Sequence, residues 1–228
     1  FIAGTMKTLI LKGAEVHGVW LTSGDYFGKG EAREKELAKA TALLGLPSPH
    51  VHLLRFPDLG LMRMLDAASI AAAELIDKLK PDTIFSPAYE GGHPDHDSVN
   101  FIAYEGCFRA GHHAKLYEFP LYNATGKARH WWWRINGFPQ GGPEVLYHRL
   151  PEEAIDARQR ITWAYSSQWL YMIPARLAST RARLTTTGEP YRHCPRDRDH
   201  TLRPHEGTLN YERWYCAFMK ISFNDFKE

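Results

Sequence analysis

The sequence has 228 residues, 44 % hydrophobic and 24 % charged, the balance of a soluble globular protein rather than a disordered or fibrous one. Twenty-eight Lys and Arg against 26 Asp and Glu leave a net charge of +2, too little for a nucleic-acid-binding stripe, and no apolar run reaches the length of a membrane span. Three widely spaced cysteines without a C-x-x-C pair argue against a disulfide framework or a zinc ribbon and for a reducing, cytoplasmic setting, while twelve histidines invite a search for metal or acid–base chemistry.

Residues 1–13 read as a helix with Phe1, Met6, Leu9 and Ile10 on one face and Gly13 past its end. Neither a charged leader nor a small-residue cleavage site marks a signal peptide. Glu15 to Thr22 is a strand ended by Ser23-Gly24-Asp25. A charged helix follows from about Glu31 to Leu44, with Leu37, Ala40, Leu43 and Leu44 as its stripe. His50 to Phe56 is a second strand, ended by Pro57-Asp58, and a third helix spans Arg63 to Lys80. Thr83 to Ser86 is a short buried strand; Pro94 opens the next helix, and Lys115 to Tyr122 is a further strand. This alternation predicts an α/β, Rossmann-like, mostly parallel sheet with helices on both faces, as a single domain over 1–228. An alternating fold that opens on a helix lacks its first strand. After Thr125 the pattern loosens: Trp131-Trp132-Trp133, a Gly/Pro-rich stretch, a strand candidate at Glu144 to Arg149 and a helix from Pro151. The chain is then loop-rich from Tyr171 until Arg213 to Phe223.

The sharpest local signal is Tyr89-Glu90-Gly91-Gly92-His93-Pro94-Asp95-His96-Asp97, where a buried strand gives way to a helix. Two glycines admit close backbone approach, and Pro94 fixes the helix start. His93 then lies just before the helix and His96 in its first turn. His96 could offer a neutral imidazole to a metal, with His93 binding the same ion or acting beside it as an acid–base group. In open α/β sheets ligands gather at such strand-to-helix loops; the bland alternative is a polar loop capping a helix.

These residues resemble the PIG-L/LmbE-like zinc-dependent N-acetylglucosaminyl de-N-acetylase family, whose His-Pro-Asp-His motif is matched by His93-Pro94-Asp95-His96. Weaker matches follow in order: Gly4-Thr5-Met6, Leu21-Thr22-Ser23-Gly24, Arg33 with Glu36, Phe56-Pro57-Asp58, Tyr165-Ser166-Ser167-Gln168, and Arg203 to Gly207. The family's first motif, His-Pro-Asp-Asp-Glu, precedes its first helix and is missing ahead of Phe1, so the chain reads as trimmed at its start and inactive as it stands. His17 and Asp25 stand in the wrong context to replace it.

The resemblance implies a Zn2+ enzyme that hydrolyses the acetamide of an N-acetylglucosaminyl compound to acetate and free amine. His96 becomes a metal ligand, with the others upstream of Phe1. His93 becomes the electrophile and general acid, protonated near neutral pH through its partner Asp95. Arg33, Asp58, Tyr89 and His205 become substrate contacts, although Arg33 could instead pair with Glu36, and Asp58 could be a plain turn residue. The implied partner is a small amino sugar; no nucleic acid or membrane span is expected, and a homo-oligomer is compatible with the sequence. The rival is a non-catalytic sugar- or nucleotide-binding domain of the same fold. His112-His113 reads as a helix C-cap, and the Trp run as structural or sugar-stacking.

Overall fold

The computed structural model describes residues 2–26, 28–125, 134–170, 172–173, 176–177, 188–195, 197–214 and 221–227. Trp131, Trp132, Trp133 and Cys216 lie outside them. The chain divides into two compact units, residues 1–58 with 147–189, and residues 59–146 with 190–228.

The first unit opens with helix α1 (Ala3–Leu11), followed by β1 (Gly18–Thr22), α2 (Gly30–Leu44) and β2 (Val51–Phe56). β1 and β2 pair in parallel, Gly18 opposite Val51 and Val19 opposite His52; the register slips between Trp20 and Thr22, near Arg55 with its φ of 57°. Helix α5 (Glu152–Ala164) packs on α1 and α2. The α2 stripe works as its spacing predicts: Ala40 and Leu44 join Leu46 and Ile161 in the core, with Met6, Ile10, Val16, Trp20 and Val51 against them. α1 has no side-chain cap of its own. Instead the buried Glu189 carboxylate accepts the N–H groups of Gly4 at 3.1 Å and Thr5 at 2.7 Å, while Arg158 pairs with it at 3.3 Å. An anion suits the positive end of a helix. Gly4 permits the approach, since a Cβ there would lie 2.4 Å from Leu150 Cδ1.

The second unit holds α3 (Leu65–Leu79), β3 (Thr83–Pro87), α4 (Pro94–Arg109), β4 (Lys115–Phe119), β5 (Tyr122–Asn123) and β6 (Arg134–Ile135). The short β7 (Leu146–His148) and β8 (Glu189–His193) span the boundary, and α6 (Asn210–Trp214) and α7 (Asn224–Lys227) close the chain. β3 and β4 are parallel over five residue pairs; β8 runs antiparallel to β4, and β5 to β6. The α/β character and parallel pairs are as expected, and β8 is an addition that the sequence pattern does not announce. α3 packs against α4. The core gathers Met62, Tyr89, Leu209, Tyr211, Ile221, Phe223 and Phe226. Cys107 and Cys194 are buried free thiols.

Behind β4 lies a buried ionic knot. Glu118, fully buried, takes Arg192 Nε at 2.7 Å, Arg198 at 2.9 Å and the Asn100 side-chain amide at 3.2 Å. His200 Nε2 meets Asn100 Oδ1 at 3.0 Å and extends the network. No described helix is long and apolar enough to cross a membrane.

Candidate active site

The His-Pro-Asp-His segment forms the entry to α4. His93 is the N-cap, in extended conformation (φ −140°, ψ 137°), and Pro94 occupies the first helical position. The loop before it is pinned on all sides. Gly91 has φ 69°, and a Cβ on Gly92 would fall 1.9 Å from the Tyr122 carbonyl oxygen, so only glycine lets β5 pass this close.

Two carboxylates without an assigned role in the sequence reading hold this loop. Asp97 accepts the N–H groups of Glu90 at 3.0 Å and Gly91 at 3.1 Å. Glu90 accepts those of Leu121 at 2.7 Å and Tyr122 at 2.9 Å, and the Asn123 amide at 3.0 Å. Both are fully buried, and burial pushes Glu90 up to about 7 and Asp97 up to about 8 against these hydrogen bonds. The signal in the sequence is their place: acidic residues flanking Gly-Gly in a loop between a buried strand and a helix.

His93 and His96 lie side by side, ring centroids 4.7 Å apart, both half-buried; Tyr122 stands edge-on to His96 at 5.7 Å. Asp95 N–H donates to His93 Nδ1 at 3.2 Å, which leaves the proton of the neutral ring on Nε2. The Asp95 carboxylate accepts from the backbone of Leu59 at 2.7 Å and Leu61 at 3.3 Å, tying the turn after β2 to α4. Burial pushes His93 down to about 4, so the ring is neutral at neutral pH, in contrast to the imidazolium that the resemblance implies. Burial, then His93, lowers His96 as well.

His96 Nδ1 is buried with no hydrogen-bond partner. A neutral imidazole with an orphaned nitrogen fits one position of a metal's coordination sphere. The remaining positions are not supplied around it: among the described residues the group of three close metal-ligating side chains is Glu15, His17 and His50, which does not include His96.

His205 joins the same loop. Its Nδ1 meets the Glu206 carbonyl at 2.8 Å, and its buried, unpartnered Nε2 lies 3.1 Å from where a Cβ on Gly91 would be. Tyr89 departs from the expected substrate contact. Its ring is in the core, and its hydroxyl lies 3.0 and 2.8 Å from the carbonyls of His200 and Leu202, so it anchors that segment. Arg33 and Asp58 belong to the first unit. Arg33 is half-buried with an unpartnered Nε; desolvation lowers its pKa, and Glu36, Asp58 and Tyr165 counteract this. Glu36 itself is engaged by Ser166 at 3.0 Å and by Ser167 N–H at 2.6 Å and Oγ at 2.7 Å.

The structure is similar to a conserved protein of Thermus thermophilus (22 % identity, TM-score 0.64, covering 87 % of this chain and 90 % of that one). It is similar to a deacetylase of teicoplanin biosynthesis (14 %, TM-score 0.65, 84 % and 91 %). It is also similar to the N,N'-diacetylchitobiose deacetylase of Pyrococcus horikoshii (18 %, TM-score 0.57, 86 % and 78 %). Residues 1–107 match the family described as PIG-L, GlcNAc-PI de-N-acetylase. The similarity to the PIG-L family thus rests on residues 1–107, a little under half of the chain.

Proposed function

We propose that the protein is a zinc-dependent hydrolase that removes the acetyl group from an N-acetylglucosaminyl compound, releasing acetate and a free amino sugar. One observation carries the reading: at the N-terminus of α4 the orphaned His96 Nδ1 lies buried beside the His93 ring. The PIG-L match and the deacetylases among the structural neighbours support it.

His96 would hold the metal at one position, and the metal would supply Lewis-acid polarisation of the amide carbonyl and an activated water. His93, with Nδ1 engaged by Asp95 N–H, directs Nε2–H toward the oxygen that gains charge as the carbonyl is attacked. Asp95 positions that ring from the first turn of α4, and its carboxylate fixes the turn through Leu59 and Leu61. The unpartnered Nε2 of His205, beside the same loop, offers a hydrogen bond to a sugar hydroxyl.

The test uses the full-length natural protein. His96→Ala should lose zinc and activity together. His93→Ala should keep its zinc while kcat falls about 10²–10³-fold with little change in KM, the signature of a donor used in the transition state. Metal analysis beside acetate release from an N-acetylglucosaminyl substrate decides the matter. Full activity in both variants refutes the site and leaves the non-catalytic binding domain.

A further inference from the structure

The opposite end of β1 and β2 carries a second cluster of ligating side chains. The parallel register that sets Gly18 against Val51 brings His17 and His50, one residue before each strand, side by side. Their rings stack with centroids 4.2 Å apart and planes 24° from parallel; His52 stacks on His17 at 5.2 Å. Glu15 reaches the same place, with Oε1 2.9 Å from His17 Nε2. One ligand atom from each of Glu15, His17 and His50 lies within 4.8 Å of the others.

The nitrogens facing away from the cluster are already engaged. His50 Nδ1 lies 3.1 Å from the Val16 carbonyl, so its N–H donates there and the neutral ring keeps its lone pair on Nε2. His17 Nδ1 lies 3.0 Å from His52 Nε2, a partner that can accept its proton when Nε2 is used for binding. Metal-bound histidines are held in this way, the outer N–H donated to a fixed acceptor that sets tautomer and ring orientation. The Glu15 carboxylate is solvent-exposed and held ionised below its usual range by its hydrogen bond and charge interaction with His17, and by His50.

We propose that Glu15, His17 and His50 form a second metal site, separate from the hydrolytic one, that takes a borderline divalent transition cation, zinc foremost. Two imidazoles and one carboxylate select such an ion over calcium or magnesium, which prefer all-oxygen shells. Three protein ligands with water in the fourth position make a tetrahedral shell, in which donors about 2.0–2.1 Å from the ion stand about 3.4 Å apart. The exposed Glu15 side chain supplies the short movement needed. The site bridges the starts of β1 and β2 and so ties together two strands whose pairing closes a 33-residue loop from Gly18 to Val51.

The test is equilibrium dialysis of the full chain against zinc chloride alone, with metal counted per chain, on wild type, His17→Ala/His50→Ala, Glu15→Gln and His96→Ala. Wild type should hold one more zinc than the double variant, and His96→Ala should keep that ion, which separates this site from the proposed catalytic one. Glu15→Gln, an exposed change that leaves the strands intact, should weaken the same ion by at least about tenfold even if the double variant folds poorly. Equal zinc in wild type and a folded double variant, or unchanged affinity in Glu15→Gln, overturns the proposal.

Discussion

Glu118 is the residue whose loss should be felt most in the second unit. It is fully buried between Arg192 and Arg198, whose side chains are 6 % and 10 % exposed. Replacing it by Gln keeps the shape and one acceptor but removes the charge facing two guanidinium groups. At an effective dielectric near 20 and a charge separation of about 4 Å, each pair has a gross attraction of about 4 kcal/mol. Against this stands the relieved desolvation of the carboxylate and the hydrogen bonds that the amide retains. Breaking buried pairs by removing one partner leaves a net loss of about 3–5 kcal/mol, because the opposite charge stays buried. Glu118→Gln should therefore lower stability by about that amount in urea titrations followed by circular dichroism, with the slope unchanged. Arg198→Met should cost less, since Arg192 still faces Glu118 and also donates to the Gly141 carbonyl at 2.9 Å. In the double variant the two costs should fail to add, since the residues share one network. A loss below about 1 kcal/mol for Glu118→Gln, or full additivity, would show that the knot contributes little to holding β4 and β8.

Gly92→Ala should lower the melting temperature and cost about 1–3 kcal/mol, because its Cβ meets the backbone oxygen of Tyr122 and either the loop or β5 must move. An unchanged melting curve would contradict that packing. Stability should also fall with acid between pH 6.5 and about 4. Burial, then Arg198, pushes His200 down to about 4, so in this window the unfolded chain binds more protons than the folded one. A shift from 6.5 to about 4 corresponds to about 3 kcal/mol lost by the lower end, and His200→Gln should flatten the slope. An identical pH–stability curve for that variant would place the acid sensitivity elsewhere, for example on His93, which has the same sign.

The features legible in the sequence are those set by local chemistry. α2 announces itself through Leu37, Ala40 and Leu44 at helical spacing, and α4 through Pro94 following a residue able to cap. His93 and His96 fall within one turn of each other, so their juxtaposition needs only the helix. What the sequence hides depends on partners distant along the chain. Glu189-Pro190-Tyr191-Arg192-His193 has no alternating pattern and contains a proline; it becomes a strand because Glu118 and Tyr117 pair with Arg192 and His193. Tyr89 reads as a site residue because it borders the motif, but its place is decided by Leu209, Tyr211 and Phe226, more than a hundred residues later. Glu90 is a loop acid until the backbone of Leu121 and Tyr122 arrives to donate to it. The meeting of His17 and His50 follows from strand register, which a single sequence does not specify.

The Glu189 carboxylate that receives the first amides of α1 has a consequence for how the chain is made. The two partners are 185 and 184 residues apart, so α1 cannot have its N-terminal amides satisfied by this carboxylate until Glu189 has left the ribosome. At about 5–20 residues per second that interval is roughly 10–40 s. During it α1 is a nine-residue helix, too short to persist in water alone, and its apolar face with Met6 and Ile10 waits for Ile161. Assembly of this unit is thus a late, long-range event, and its nascent form is the state most exposed to chaperones and to aggregation.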